Sequence, residues 1–526
     1  MHRVGVSTGV VAQVGRVPGP RRAESPLDED ATRYLSTAAH LDEGYGRALI
    51  RHLLVREDRL PPVVDGVDLA TVLRHAVAAR SRRLYRDATI AAVVVVSTAL
   101  AGWPVPCLLA WLAAVVVAVR ALRPAETPAG RRSRAEFDDP AGPHRPRAGA
   151  QAALLALLVV GVLLGSLALT HADPLGLRGA LHIAVPQTGA DRVRRLIAPL
   201  AAALACWAAV FAEELAARST IADRLSPGHF TPGRWLSAEP AWAQHSLAVL
   251  GARLAAAQAV RPPLAALGEP FLGAGRQALR RRWLIDLGPA ATRSAPFDTE
   301  DLLDRACEAL SAGLGPLDPG GPALVLVDDY PVAAGPALAT RGDGELPVRL
   351  LPVPSTPARG HAAARRFRRV RVTRGAAGLT VTLFVGATAG NGLLQVELYG
   401  YVLAPVANRY RLADRLAPSW GWESVGACAL RAVRRTPGRI LAFPTSLGRT
   451  CVDPLVRRHA GAVARRAAEH GLELEAGARF DPRGAVAAAP GEDFFGDEDA
   501  NLYLAAVERR VRNELRHLLP PEHADF

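Results

Sequence analysis

The sequence ATIAAVVVVSTALAGWPVPCLLAWLAAVVVAVRAL runs from Ala88 to Leu122 and is the main basis for predicting a membrane protein. It is nearly all apolar, it is too long for one membrane span of about 20 residues, and Gly102-Trp103-Pro104-Val105-Pro106 interrupts it. Two prolines within three residues break a helix, because each lacks an N–H donor. We therefore predict a helical hairpin with arms over 88–103 and 105–122. A re-entrant hairpin that does not cross the bilayer is the alternative, because both arms are short.

Two further apolar stretches follow the hairpin, over residues 151–170 and 196–217. Each is long enough to cross a bilayer, and the second ends in Glu213 and Glu214. Together with the hairpin they predict a membrane α-helical region of about four spans over residues 88–217.

Arginines flank this region and predict its orientation, because cytoplasmic loops of membrane proteins carry an excess of basic residues. Four arginines precede the first arm and six lie between the second and third spans, namely Arg80, Arg82, Arg83 and Arg86, then Arg123, Arg131, Arg132, Arg134, Arg145 and Arg147. With four spans, both termini are then expected in the cytoplasm, and the protein is expected in the plasma membrane.

The net charge of +13 does not by itself indicate nucleic-acid binding. Every basic residue is an arginine, which together with abundant Ala, Gly and Pro is typical of a GC-rich genome. No recognisable nucleic-acid-binding module accompanies the charge. We therefore expect the lipid bilayer and a protein, bound through the soluble domain, as partners, and no nucleic acid. The five cysteines are scattered without metal-ligand spacing, so we expect no metal and no other cofactor.

The segments outside the membrane region differ in character. Residues 1–30 lack an apolar period and are predicted to be disordered, whereas residues 31–87 show the spacing of amphipathic cytoplasmic helices. Residues 218–526 mix helix and strand patterns and predict a soluble α+β domain. Its clearest element is an antiparallel hairpin, because two β-rich runs flank Asn391-Gly392.

Several runs, taken together, resemble a known group of proteins. EPFLGAG at Glu269–Gly275 is followed by strand-like runs and by LAPVANRYRLADRL at Leu403–Leu416. This order resembles uncharacterised actinobacterial multi-pass membrane proteins with a PF[VL]GxG element and a cytoplasmic α+β domain. The resemblance implies the architecture and assigns no catalytic residue.

Two places could bind a ligand. The Gly273 and Gly275 turn with Arg276 could cradle a phosphate, since glycine permits close approach and arginine donates bidentate hydrogen bonds. A tight turn between strands is the simpler interpretation. Asp328 and Asp329 follow the strand-like run LVLV and could serve metal-dependent phosphoryl chemistry, although a turn is the simpler interpretation.

The sequence predicts a membrane-anchored binding or scaffolding module with a cytoplasmic domain. The alternative is a membrane-bound enzyme that acts on a phosphate-bearing ligand through the Gly273 turn and the Asp328-Asp329 pair. A small-solute transporter subunit is the second alternative. No catalytic residue and no oligomeric state follow from the sequence.

Overall fold

The computed structural model describes most of the chain outside one long internal segment. The described residues are 26–101 without 57, 63 and 65, then 189–231, 240–259, 264–265, 270–286, 299–314, 324–334, 337–341, 348–352, 365–374, 378–390, 393–416, 421–492 and 494–518. Most of the predicted disordered N-terminus therefore lies outside the described residues.

Helices make up the first part of the fold. Helix α1 spans Pro26–Leu41 and α2 spans Glu43–Ile50, with the Asp42 carboxylate capping α2. A π-helical turn over Arg51–Val55 leads toward α3, Leu69–Ala101, a 33-residue helix. Two more helices follow, α4 over Gly189–Arg224 and α5 over Ala241–Ala259. Leu35, Leu49 and Leu73 form the buried core where α1, α2 and α3 meet.

A six-stranded sheet forms the centre of the second part, in the order β1-β3-β6-β7-β8-β2. The strands are β1 Leu264–Ala265, β2 Arg276–Asp286, β3 Leu324–Ala334, β6 Arg365–Arg374, β7 Leu379–Gly390 and β8 Leu393–Leu403. Only the β1–β3 pair is parallel. The predicted hairpin is present as the antiparallel β7–β8 pair, and its turn, Asn391-Gly392, lies outside the described residues.

One face of this sheet packs against two helices, α6 over Thr299–Leu314 and, at the end of the chain, α8 over Phe494–Leu518. Leu303 of α6 and Val507 of α8 pack with Val370, Leu383 and Leu398 of the sheet. The C-terminal helix α8 therefore covers the protein's own sheet.

A long helix, α7, spans Trp422–His470 between β8 and the C-terminal helix. It contains Pro437, Pro444 and Pro454, each of which removes one helical hydrogen bond. It ends at Gly471, whose φ of 60° is the left-handed conformation that terminates many helices. Near this end it packs against a three-stranded sheet formed by β4 Ala337–Arg341, β5 Val348–Pro352 and β9 Glu473–Leu474.

The prediction of about four membrane spans is wrong. Within the described part of the chain, one helix, Leu200–Arg224 in α4, is long and apolar enough to cross a membrane, and only 28% of its most apolar stretch is buried. The predicted arm over 88–103 is largely the end of α3. The uncharged run after Asp87, residues 88–101, covers about 21 Å of this helix. That length is too short for a bilayer core of about 30 Å. The predicted spans over 105–122 and 151–170 lie outside the described residues.

Candidate functional site

The glycine turn, for which the sequence favours a tight turn over a phosphate cradle, packs against strand β8. Gly273 and Gly275 have φ values of 91° and 96°, which side chains disfavour. A Cβ on Gly275 would lie 2.7 Å from the Leu403 Cα and closer still to the Val402 carbonyl oxygen. The glycine is therefore required because the turn touches the backbone of β8.

The same turn places Phe271 on the sheet face opposite α6 and α8. Its ring stacks on Phe384 at 4.0 Å and meets Phe367 edge-on at 5.1 Å between centroids. Tyr330 lies 6.2 Å away. This aromatic cluster fills the space under the turn, which accounts for the PF-x-G-x-G spacing without a ligand.

The two predicted ligand-binding places do not converge. Arg276 is the first residue of β2 and pairs with Val402 of β8. Asp328 and Asp329 lie in the middle of β3, not at its end. Three strands separate β2 from β3, which corresponds to about 19 Å at the usual strand spacing. Each Asp also has a cross-strand partner. Asp328 accepts a hydrogen bond of 2.8 Å from Arg369 Nε, and Asp329 pairs with Arg368.

Metal-dependent chemistry at Asp328 and Asp329 gains no support from this arrangement. Among the described residues, no three His, Cys, Asp or Glu side chains are grouped so that they could hold a metal ion. The acids serve as ion-pair partners in the sheet.

The strongest concentration of charge lies where α2, α3, α4 and α7 meet. We call this cluster the arginine collar. It comprises six arginines and four carboxylates linked by ion pairs, namely Glu43, Arg83, Arg86, Asp87, Glu213, Glu214, Arg218, Arg431, Arg435 and Arg439. The sequence showed the two glutamates, and it showed Arg83 and Arg86 as flanking charges, but not that these groups meet, because most collar members come from distant parts of the chain.

Glu214 is the centre of the α4–α7 part of the collar. Its side chain is only 4% exposed and accepts hydrogen bonds from Arg218 at 3.1 Å and Arg435 at 2.5 Å. Arg431 Nε lies 3.5 Å from the same carboxylate. One carboxylate thus holds three guanidinium groups, and α7 is fixed to α4 by charge.

The α2–α3 part of the collar is more deeply buried. Arg86 contacts Asp87 at 2.7 Å and Glu213 at 3.3 Å, and Arg439 pairs with Glu43. Burial would raise the pKa of Glu43, but the charges of Arg439 and Arg83 outweigh it and hold the pKa at about 2. Burial lowers the pKa of Arg83 to about 10, against the opposing charges of Glu213 and Glu43.

The collar carries two more positive than negative groups, because it contains six arginines and four acids. Within the described residues, Asp87 Oδ2 and Arg431 Nε are buried without a hydrogen-bond partner. Enclosing surplus charge is costly in protein interiors. An anion close to the exposed edge of the collar would offset that cost.

Two histidines beside the collar form a hydrogen-bonded chain. Arg82 Nη2 lies 2.6 Å from His40 Nδ1, and His40 Nε2 lies 3.0 Å from His75 Nδ1. Because arginine can only donate, His40 accepts at Nδ1 and donates from Nε2 to His75. Burial and the Arg82 charge lower the pKa of His75 to about 4 and that of His40 well below its ordinary value.

An apolar helix surface adjoins the collar on α4. Its residues face outward and are exposed, namely Ile197, Leu200, Leu204, Ala208 and Ala212. Leu200 and Leu204 are 66% and 63% exposed. We call this set the α4 apolar surface. It ends at Glu213, the first carboxylate of the collar.

The opposite side of α4 is also apolar. Cys206 and Val210 pack against Ile90 of α3 and Ala432 of α7 in a buried cluster. A helix that is apolar on all sides is typical of a protein interior or a membrane. In α4, only one side has protein against it among the described residues.

The run LAPVANRYRLADRL proves to join the two halves of the fold. Its 3₁₀ turn, Asn408–Asp414, places the Tyr410 hydroxyl 2.9 Å from Asp42. Asp414 accepts hydrogen bonds from Arg33 and from the Tyr34 hydroxyl, the latter at 2.7 Å. The motif thus holds α1 and α2 against the end of β8.

Comparison with known proteins gives one similarity. No curated protein and no solved structure matches the chain. The resemblance to actinobacterial membrane proteins stays a prediction. Residues 279–525, slightly less than half of the chain, match the family described as the AbeC-like domain, and this stretch includes most of the sheet, α7 with its three collar arginines, and α8.

Proposed function

We propose that this protein is a membrane-anchored binding module. Helix α4 inserts into the bilayer, and its α4 apolar surface contacts lipid. The α+β part lies on the cytoplasmic side, where it binds a protein partner. The observation that carries this proposal is the exposure of Leu200 and Leu204 on a helix that is apolar on both sides.

The energetics favour lipid over water around α4. Removing a leucine or isoleucine side chain from water contributes about 1.5–3 kcal/mol, and Ile197, Leu200 and Leu204 are more than half exposed. The uncharged run over 196–212 covers about 26 Å of helix, close to the thickness of a bilayer core.

The arginine collar fits the edge of such a membrane segment. Charged side chains are tolerated at the headgroup level and are costly in the hydrocarbon core. The collar begins directly after the apolar run, at Glu213, and arginine excess is typical of the cytoplasmic side. This supports a cytoplasmic position for the collar and for the sheet domain.

The two alternatives receive less support. The enzyme alternative needed the Gly273 turn and Asp328-Asp329 in one pocket, and the sheet separates them. The transporter alternative needed polar groups between apolar helices, whereas Ile90, Val210 and Ala432 make a dry contact.

Thiol protection tests the membrane position of α4 directly. Leu204→Cys and Leu502→Cys would each be introduced into the full chain after its five native cysteines are replaced by serine. Leu502 lies on α8 and is 53% exposed, so it is a matched control outside the proposed membrane segment. In membranes, a water-soluble maleimide should label the cysteine at 502 rapidly and the one at 204 only after denaturation. Equal labelling at both positions would refute the proposal.

A further inference from the structure

We propose that the exposed arginines of α7 beside the collar bind the headgroup of an anionic phospholipid. The inference rests on the membrane anchoring proposed above and specifies the lipid class. Its site is the edge of the α4–α7 contact, and its ligand is a phosphodiester with net negative charge.

The first observation is the position of α7 relative to the α4 apolar surface. Trp207 Nε1 of α4 donates a hydrogen bond of 3.3 Å to the Ala429 carbonyl oxygen of α7. Within the next two turns of α7, Arg431 and Arg435 reach the Glu214 carboxylate. This part of α7 therefore lies alongside the last apolar turns of α4.

The second observation is the pattern on the outward side of α7. Leu430, Val433 and Arg434 occupy positions i, i+3 and i+4 on one side of α7, and all three are exposed. Arg434 forms no ion pair with the described residues, and the Arg435 side chain beside it is partly exposed. Exposed apolar and basic residues on one helix are typical of a segment at a lipid interface.

Charge complementarity identifies the lipid. The collar already holds two surplus positive charges, and Arg434 adds a third at its exposed edge. Guanidinium groups bind phosphate oxygens bidentately, and basic residues near a bilayer prefer anionic lipids. The neighbouring Leu430 and Val433 offer apolar contact to acyl chains, which a free phosphate ion does not have.

Fluorescence quenching by brominated lipids measures this preference. The full chain would be reconstituted in bilayers of phosphatidylcholine and phosphatidylglycerol, with one or the other brominated. Quenching of tryptophan, including Trp207 next to the site, gives the relative binding constant of the two lipids. Arg434→Gln is the test variant. Arg466→Gln is the matched control, because Arg466 is also exposed on α7 but lies about 48 Å farther along the helix.

The expected result is a preference for phosphatidylglycerol that falls about fivefold in Arg434→Gln, the factor that corresponds to about 1 kcal/mol per arginine at a membrane surface. Arg466→Gln should show the same preference as the parent protein. Adding inorganic phosphate should leave the preference of the parent protein unchanged.

Equal constants for the two lipids, or equal losses in both variants, would overturn the inference while leaving the anchoring intact. Loss of the preference on adding phosphate would show that the site takes the free ion and would also overturn it. Absence of quenching by brominated phosphatidylcholine itself would instead count against the membrane anchoring.

Discussion

The hydroxyl of Tyr410 donates a hydrogen bond of 2.9 Å to Asp42, although the two residues are 368 positions apart in the chain. Tyr410 is buried, and Asp42 also caps α2 through its other oxygen. This one contact links the start of the helical part with the end of the sheet.

Replacing Tyr410 by phenylalanine should loosen that link. The hydrogen bond goes to a carboxylate, and loss of a charge-assisted bond costs about 2 kcal/mol. We expect a lower Tm for the detergent-purified protein. The control is Tyr34→Phe, which removes a more exposed hydrogen bond to Asp414 and should lower the Tm less. A Tyr410→Phe variant with the parent Tm would contradict the structural role assigned here.

Two glycine substitutions should change stability in opposite directions. Gly275→Ala places a Cβ against β8 in a left-handed conformation, which should cost about 3 kcal/mol. Gly426→Ala lies within α7 with open space around it, so it should stabilise by up to about 1 kcal/mol. Thermal unfolding of both variants checks the pair. A tolerated alanine at 275 would mean that the turn does not touch β8.

Acid should destabilise the protein through the buried histidine pair. In the folded protein the pKa of His75 is about 4, below its ordinary value of 6.5. Below about pH 6.5 the unfolded chain takes up the proton first, so stability is lost as the pH falls from 6.5 towards 4. For His75 the loss is on the order of 3 kcal/mol over that range.

The measurement is the Tm between pH 5 and 7.5 for the parent and for His75→Gln. The variant cannot be protonated at this position, so its Tm should fall less steeply with acid. His459→Gln, which replaces an exposed histidine of α7, is the control and should keep the parent slope. Identical slopes in all three proteins would refute the histidine explanation.

Removing the central carboxylate of the collar should be strongly destabilising. Glu214→Gln leaves Arg218, Arg431 and Arg435 without their shared negative partner. Breaking a buried ion pair on one side costs about 3–5 kcal/mol. Glu508→Gln removes a carboxylate that also holds two arginines, but in a more exposed place, where about 1 kcal/mol or less is expected. Similar Tm values for the two variants would contradict a buried collar.

The β-hairpin was predictable because its information is local. Alternating apolar residues on both sides of Asn391-Gly392 specify two strands and a short turn, and the structure pairs β7 with β8 in that register. The end of β3 was not predictable in the same way. The strand continues through Pro331, whose missing N–H is tolerated because, among the described residues, β1 pairs with Ala333 and Ala334 and not with Pro331.

The arm over 88–103 was mispredicted because hydropathy does not show which face of a helix is covered. The apolar end of α3 continues a charged helix in which Arg83 and Arg86 are buried. The collar was missed because its members come from four helices that are remote in sequence and meet only in the fold. The pair Glu213-Glu214 and the flanking Arg83 and Arg86 were visible in the sequence, but their pairing was not.

The three prolines of α7 have a mechanical consequence. The helix is bound to α4 at Arg435 and to the three-stranded sheet near Ala467. Pro437, Pro444 and Pro454 lie between these two attachments, and each omits a backbone hydrogen bond. A change in the tilt of α7 at its contact with α4 would therefore be either absorbed as bending at these prolines or transmitted as a displacement of the three-stranded sheet.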